Sequence, residues 1–233
     1  MSLQIGFLLF PRIQQLDLIG AYEVFAMEPG AQVHLIWKNR APLACSNGLL
    51  MSADSTFDTC PALDVLCVAG GAGVGELMED QETLDFIKRQ AVGARFITSV
   101  CTGALVLGAA GLLQQRRATT HWAFHHLLSA LGATPVKQRV VQDGNLITGG
   151  GVTAGIDFAL TLAAELIGPE AAQSIQLQLE YAPAPPFDAG TPETAPPAIV
   201  ERARTRAAPL LAQRERIVER VSSRLIREAS SQA

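Results

Sequence analysis

Cys101 stands at a point of the chain where a side chain can do chemistry, the junction between a predicted strand and a predicted helix. Apolar residues at 94–100 predict a buried strand, and the almost wholly apolar segment 102–113 predicts a buried helix. A sharp turn between such elements exposes its side chain at the carboxyl end of the sheet, where ligands bind in open α/β folds. Gly103 and Ala104 are small enough for the close strand–helix packing that this turn requires. Cys101 is therefore a candidate nucleophile, although an inert buried cysteine would fit the same pattern.

The start of the predicted helix would also set the chemistry of this thiol. Unpaired N–H groups at a helix start carry partial positive charge, which stabilises a thiolate, so we expect the pKa of Cys101 to be lowered. The N–H and the hydroxyl of Thr102 lie at the same helix start and can hold negative charge that develops on a substrate. Thr102 therefore joins Cys101 as a candidate catalytic residue.

Two glycine clusters follow predicted strands and so belong to the same edge of the sheet. Gly70 and Gly71 follow a strand at 63–69, and Gly150 follows a strand at 145–148. Their backbone N–H groups can approach a ligand closely, which makes all three candidates for substrate or oxyanion contacts. The first cluster matches neither a phosphate-binding P-loop nor the dinucleotide-binding fingerprint. Tight turns without a ligand are the alternative interpretation for both clusters.

Asp17 and His121 are two ionisable residues that would be able to assist Cys101. Asp17 follows the first predicted strand, and repulsion from a nearby thiolate would raise its pKa into a useful range for acid–base work. Its alternative role is the N-cap of a helix at 18–27. His121 would form a Cys–His dyad or, beside Trp122, would be a packed and hydrogen-bonded residue.

Three further cysteines, Cys45, Cys60 and Cys67, have irregular spacings and form no C-x-x-C pair. This arrangement argues against a zinc site and against a disulfide framework. Cys67 lies in an apolar run that is typical of inert core. We therefore expect no metal site.

Short buried strands alternate with helices along most of the chain, which predicts an α/β fold with a mostly parallel sheet and helices on both faces. Hydrophobic residues make up 48% of the 233 residues and charged residues 17%, a composition that buries one sizeable core and differs from that of a disordered chain. A hairpin is predicted around residues 143–144 and a turn at 47–48. Strands are predicted at 3–10, 31–37, 63–69 and 94–100, and helices at 18–27, 81–92, 102–113, 121–131, 152–167 and 169–181.

The C-terminal part of the chain has a different character. Residues 182–200 are rich in proline and separate a predicted catalytic domain, residues 1–181, from a C-terminal helix at 201–233. Pro209 is expected to start or kink that helix. Arg and Glu interleave along it, which favours packing on its own domain or on a second subunit over binding to nucleic acid or membrane. Its apolar stripe consists of Leu210, Leu211, Ile217, Val218, Val221 and Leu225.

Net charge and hydropathy indicate which partners and which cellular location are compatible with this chain. The formal net charge is −4, so the chain as a whole has no attraction to nucleic acid or to an anionic membrane. No apolar stretch approaches the roughly 20 residues needed to cross a bilayer, and the N-terminus lacks a basic leader. We expect a cytoplasmic protein.

Taken together, several of these segments resemble the ThiJ/PfpI superfamily, whose fold is related to that of class I glutamine amidotransferases. The resemblance covers residues 3–181 and implies a flavodoxin-like sandwich with a nucleophile elbow at Cys101, to which this chain adds a C-terminal helix. It also implies a homodimer. The segments that carry the resemblance are 5–10, 15–21, 65–71, 98–113, 117–122 and 149–165.

Within the superfamily the chain is most similar to the isocyanide hydratases. Thr102 follows the nucleophile where many members have His, and Asp17 stands in the first loop where many have Glu. The resemblance implies hydration of an isocyanide to an N-substituted formamide through a covalent Cys101 thioimidate, with Asp17 handling the proton and without metal or cofactor. The supporting segments are 7–11, 14–18, 99–103, 148–151, 153–158 and 178–186.

Three other functions stay open on the sequence alone. A different cysteine activity of the superfamily, such as glyoxal hydration, deglycation or amide hydrolysis, would use the same elbow. AraC-type transcription regulators carry a similar ligand-binding domain, but they need a helix-turn-helix region that the roughly 50 residues after Tyr181 do not display. An accessible cysteine of low pKa would also suit a redox sensor.

Overall fold

The computed structural model describes residues 2–231 and gathers seven strands of this range into one sheet. The strands are β1 (Leu3–Leu8), β2 (Ala31–Trp37), β3 (Leu43–Ala44), β4 (Leu50–Met51), β5 (Ser55–Thr56), β6 (Val65–Val68), β7 (Phe96–Val100), β8 (Arg117–Ala118), β9 (Thr134–Pro135), β10 (Val140–Asp143) and β11 (Leu146–Gly149). Their order in the main sheet is β10-β11-β7-β6-β1-β2-β5, and its pairs are parallel apart from the β10–β11 hairpin. The prediction of a mostly parallel sheet is confirmed.

The central strands are buried on both faces, which is why their sequences are continuous apolar runs. All four residues of β6 are buried, and so are all residues of β7 after Phe96. Val68 at the end of β6 lies beside Leu8 of β1 on one side and Ser99 of β7 on the other. The segments that follow these three strands therefore meet at one edge of the sheet, the carboxyl edge.

The helices of the described chain form two groups around the sheet. They are α1 (Gln15–Ala26), α2 (Val74–Leu77), α3 (Gln81–Gly93), α4 (Gly103–Ala109), a 3-10 turn (Trp122–Phe124), α5 (Leu127–Ala130), α6 (Ala154–Ile167), α7 (Pro169–Gln178) and α8 (Pro197–Ser231). In one group α1 contacts α6 and α6 contacts α7, and in the other α4 contacts α2, α3, α5 and α8. This is the arrangement expected for helices that cover both faces.

The helix after Cys101 and the helix predicted at 121–131 differ most from the sequence prediction. α4 ends at Ala109 and not at residue 113, because Gly111 takes a φ of +79° that ends a helix. The single helix predicted at 121–131 is instead the 3-10 turn followed by α5. The ring of His121 accepts the N–H of Ala123 and closes that tighter turn.

The C-terminal helix α8 begins at Pro197 and continues through Pro209. Pro209 therefore does not start this helix. α8 packs against α2, α4 and α5 and buries Ile217, Val218 and Val221. Between residues 2 and 231, no helix has both the length and the apolar character needed to span a membrane.

Candidate active site

Cys101 sits on a strained turn between β7 and α4. Its φ is +55°, a left-handed conformation that residues other than glycine rarely adopt. Two hydrogen bonds hold this backbone: the N–H of Cys101 donates to the Gly149 carbonyl at 3.0 Å, and the Thr120 hydroxyl donates to the Cys101 carbonyl at 2.7 Å. A side chain on Gly103 would collide with the Val68 carbonyl, which confirms the close strand–helix packing predicted for this turn.

Asp17 faces Cys101 from the first turn of α1 and is fully buried. The helix begins at Gln15 and not at Leu18, with Gln14 as its cap, so the alternative interpretation of Asp17 as an N-cap is wrong. One carboxylate oxygen, Oδ2, accepts the N–H of Gly70 at 2.9 Å, and the carboxylate is also hydrogen-bonded to Cys101. The other oxygen, Oδ1, is buried without a hydrogen-bond partner.

Burial raises the pKa of Asp17 to about 7, although the hydrogen bonds from Gly70 and Cys101 act to lower it. A carboxyl group with such a pKa exchanges a proton readily near neutral pH, as general acid–base catalysis requires. The pKa of Asp17 is therefore suited to moving the proton of Cys101.

The pKa of Cys101 is raised well above its usual value, so the prediction of a lowered pKa is wrong. Burial of the thiol contributes most, and the negative charge of Asp17 adds to it. The N–H of Thr102 and the positive charge of Arg214 act in the opposite direction but do not outweigh burial. Cys101 thus rests as a thiol, and the ionisation of Cys101 and that of Asp17 are coupled through the interaction between the two side chains.

The glycine loop after β6 holds this pair in place. The N–H of Gly70 donates to Asp17, and the N–H of Gly71 donates to the Thr102 hydroxyl at 3.3 Å. A Cβ on Gly70 would lie 2.6 Å from the Thr102 nitrogen and 2.7 Å from Oδ2 of Asp17, so only glycine fits between them. These N–H groups are engaged within the protein, and we assign the loop to positioning Asp17 and Thr102.

Gly150 follows β11 at the same edge, but its N–H donates to the Arg139 carbonyl at 2.8 Å. That N–H is therefore not free for the substrate contact expected from the sequence. The guanidinium of Arg139 in turn binds Asp157 and Thr153 at the start of α6. The backbone N–H of Gly150 thus serves the local structure around α6.

Arg214 is the residue of this site that sequence reasoning missed. It comes from α8, and 1% of its surface is exposed. Its Nη2 donates to the Gly71 carbonyl at 2.6 Å, and its guanidinium carbon lies 4.2 Å from the centre of the Phe124 ring. One signal was present in the sequence: position 214 lies three or four residues from Leu210, Leu211, Ile217 and Val218, in the middle of the apolar stripe.

His121 is a packed residue of the 3-10 turn. Its Nδ1 accepts the Ala123 N–H at 3.3 Å, and its ring lies 5.6 Å from that of Trp122. Burial lowers the pKa of His121, with a further contribution from the charge of Arg214. The ring is therefore neutral near pH 7, and the ionisable carboxyl group that interacts with Cys101 is that of Asp17.

The remaining cysteines differ from Cys101 in their surroundings. All four cysteines are free thiols. Burial raises the pKa of Cys67 to about 12 and that of Cys60 to about 11, as it also raises the pKa of Cys101, but in the described part of the chain neither side chain interacts with a buried carboxyl group as Cys101 does with Asp17. Within residues 2–231, no group of three or more His, Cys, Asp or Glu side chains is placed to hold a metal ion.

A cavity of about 610 Å³ lies at the opposite end of the sheet, where the strands begin. Leu3, Gly30, Asp64 and Arg95 line it, at the starts of β1, β2, β6 and β7. Its acidic groups are paired with backbone: Asp64 accepts the Gln4 N–H at 2.8 Å.

Comparison with known proteins agrees with this geometry. The chain is 66% identical over 225 residues to an isonitrile hydratase of Pseudomonas putida, which covers 97% of this chain and 99% of that protein. A crystal structure of a ThiJ/PfpI family protein from Pseudomonas syringae superposes with a TM-score of 0.91 at 40% identity, covering 94% of this chain and 91% of that one. The HTH-type transcriptional regulator CdhR of Pseudomonas aeruginosa is 30% identical over 76% of this chain and 55% of its own length.

The similarity to these proteins extends beyond the elbow to the strands and helices that carry the site. The model of the DJ-1/PfpI family matches residues 4–165, a range that includes Asp17, the glycine loop and Cys101. The chain belongs to the DJ-1/PfpI family.

Proposed function

We propose that this protein is an isocyanide hydratase, which adds water to R–N≡C and releases the N-substituted formamide R–NH–CHO. The observation that carries the proposal is the 66% identity, along nearly the whole of both chains, to an isonitrile hydratase. The buried Asp17–Cys101 pair supports it, because this reaction needs one nucleophile and one group that returns protons.

In the first half of the reaction, Cys101 adds to the terminal carbon of the isocyanide. The thiol passes its proton to the Asp17 carboxylate as sulfur forms a bond to that carbon. Asp17 then returns the proton to the same carbon, which gives the thioimidate R–N=CH–S–Cys101. The N–H of Thr102 faces the sulfur and stabilises negative charge on it during this exchange.

In the second half, water adds across the C=N bond of the thioimidate. Oxygen bonds to the carbon, and the nitrogen takes up a proton, which gives R–NH–CH(OH)–S–Cys101. The carbon–sulfur bond then breaks, the hydroxyl proton passes through Asp17 to sulfur, and the formamide leaves. Atoms and electrons balance with isocyanide and water as the only reactants, so the scheme requires no metal and no organic cofactor.

Turnover of a simple alkyl or aryl isocyanide tests the proposal, with formamide followed by chromatography. We expect formamide from the wild type and only the background rate from Cys101→Ala. Cys60→Ala is the matched control, because it removes a half-buried cysteine outside the site and should retain activity. Methylglyoxal serves as a competing substrate. A folded wild type that consumes methylglyoxal and no isocyanide would replace hydration with another cysteine activity of the family.

For the oligomeric state we propose a homodimer that acts on free isocyanide and water, without nucleic acid or membrane. Leu177 and Phe187 support a subunit contact, because these two large apolar residues are each about four fifths exposed in the single chain. Light scattering at micromolar concentration should report twice the mass of the chain. A monomer in that measurement would contradict the dimer and leave the hydration chemistry untouched.

A further inference from the structure

Arg214 occupies a position where a cation is costly. It lies on the buried side of α8 next to Ile217 and Val218, where an apolar residue would satisfy the packing. Burial lowers the pKa of Arg214 to about 10, so the guanidinium still carries its charge at neutral pH. A buried charge that is kept in an apolar stripe requires an explanation from its surroundings.

The contacts of Arg214 point toward Cys101. Nη2 donates to the Gly71 carbonyl, and the guanidinium stacks over Phe124 of the 3-10 turn. Its Nε is buried without a hydrogen-bond partner. An unsatisfied donor on a buried cation is rare in native folds and calls for an explanation from its surroundings.

The Gly71 carbonyl links this cation to the nucleophile through a short series of contacts. The N–H of Gly71 binds the Thr102 hydroxyl, and the N–H of Gly70 binds Asp17. Both Thr102 and Asp17 interact with Cys101. A guanidinium that fixes the Gly71 carbonyl therefore also fixes the loop on which the two partners of Cys101 depend.

We propose that Arg214 is a positioning residue of the active site, through which the C-terminal helix fixes the 70–71 loop and places a positive charge beside Cys101. When Cys101 gives up its proton, the guanidinium becomes the nearby counter-charge of the sulfur anion. This role deepens the proposed hydratase function, because the attacking sulfur carries that negative charge.

The charged groups that face this pair come from four elements. Asp17 of α1 opposes ionisation of Cys101, whereas Arg214 of α8 favours it. Glu76 of α2 interacts with Arg214 and also forms an ion pair with Arg12 at 2.5 Å. His121, before the 3-10 turn, is kept neutral by burial and by Arg214. Arg214 is the group among these whose charge lowers the pKa of Cys101.

The test measures alkylation of Cys101 by iodoacetamide as a function of pH, with the Cys101 peptide followed by mass spectrometry. Arg214→Met and Arg214→Gln remove the charge, and Arg214→Lys keeps it. We expect the two neutral variants to be alkylated about tenfold more slowly near neutral pH, with the midpoint of the profile displaced upward by about one pH unit. Arg214→Lys should stay close to the wild-type profile.

Thermal unfolding separates this role from a structural one. Arg214→Met should be as stable as the wild type or more stable, because an apolar side chain replaces a buried charge of similar volume. Arg216→Met, an exposed arginine on the same helix, is the matched control and should leave the alkylation profile unchanged. If Arg214→Met does not fold, Arg214→Gln decides the question.

A folded neutral variant with the wild-type alkylation profile would overturn the proposal, and so would a lysine variant as slow as the neutral ones. The measurement uses no isocyanide. A wild type that hydrates no isocyanide, together with a displaced profile in Arg214→Met, would therefore reject the proposed function and retain the role of Arg214.

Discussion

The two ends of the central sheet differ, because the open cavity lies at one end and the candidate catalytic residues lie at the other. The amino end carries the cavity of about 610 Å³, and an acidic group there, Asp64, is paired with backbone N–H. The carboxyl edge carries Cys101, which is only 7% exposed. Yet this edge holds a left-handed non-glycine residue, a buried carboxylate oxygen without a partner and a buried guanidinium with an unpaired Nε. Under the proposed function, the reactive end of the sheet is the one with backbone strain and unsatisfied buried groups, and not the one with the open cavity.

Replacing the carboxylate at the reactive end should produce the largest effect of the predictions that follow. We expect Asp17→Asn to lower kcat/KM for an isocyanide by about 10²- to 10⁴-fold, because the amide cannot carry the proton of Cys101. In the wild type kcat/KM should rise with pH through about 7, since Asp17 accepts a proton only above its raised pKa. A pH series on both proteins checks this.

The control for Asp17 lies at the other end of the sheet. Arg95→Ala removes a charged residue from the wall of the cavity and should leave kcat/KM and its pH dependence unchanged. Equal losses of kcat/KM in Asp17→Asn and Arg95→Ala would show that the two ends of the sheet do not differ in function. So would an Asp17→Asn enzyme that keeps the wild-type pH profile.

Asp17→Asn should lower activity, but it should raise the thermal stability of the protein above neutral pH. A carboxyl group whose pKa is raised in the folded state stabilises the fold below its ordinary pKa of 3.8, and this contribution is lost as the pH rises through about 7. Asp17→Asn removes the buried negative charge, so it should unfold at a higher temperature than the wild type at pH 8. The difference should vanish near pH 4.

A smaller effect is expected when a methyl group is added at each end. Gly70→Ala places its Cβ within 2.7 Å of both the Thr102 nitrogen and the Asp17 carboxylate, which should cost about 1–3 kcal/mol of unfolding free energy and reduce activity. Gly30→Ala, beside the cavity, meets only the side-chain carboxylate of Glu28 at 3.3 Å and should be nearly neutral. Urea unfolding compares the two, and similar losses would show that close packing does not distinguish the ends.

The elbow could be predicted because its cause is local. An apolar strand runs into an apolar helix, and Gly103 lies where a side chain would strike the Val68 carbonyl. The meeting of Asp17 with Cys101 followed from topology, since both follow parallel strands. The helix start that decides the role of Asp17 could not be located, because Gln14 and Gln15 carry no cap or hydrophobic signal that marks it.

The direction in which the pKa of Cys101 is shifted depends on tertiary structure, and so does the proposed role of Arg214. A helix start lowers the pKa of a thiol, but burial against Asp17 outweighs it, and the extent of burial is not visible in a local pattern. Arg214 is distant from Cys101 in the chain and resembles the interleaved charges of a solvated helix. The helical spacing of the apolar stripe places position 214 on the buried face of α8, whichever residue occupies it. Extending the stripe through that position would have predicted that Arg214 is buried.

The delivery of Arg214 by the last helix has a consequence for the order in which the site is assembled. Synthesis proceeds from the amino terminus, so Asp17, the 70–71 loop and Cys101 leave the ribosome well before α8. Before that helix docks, Cys101 lacks the guanidinium that the proposed role of Arg214 assigns to it. On that proposal, the thiol reacts more slowly with cellular electrophiles while the protein is being made than it does once the end of the chain has folded onto it.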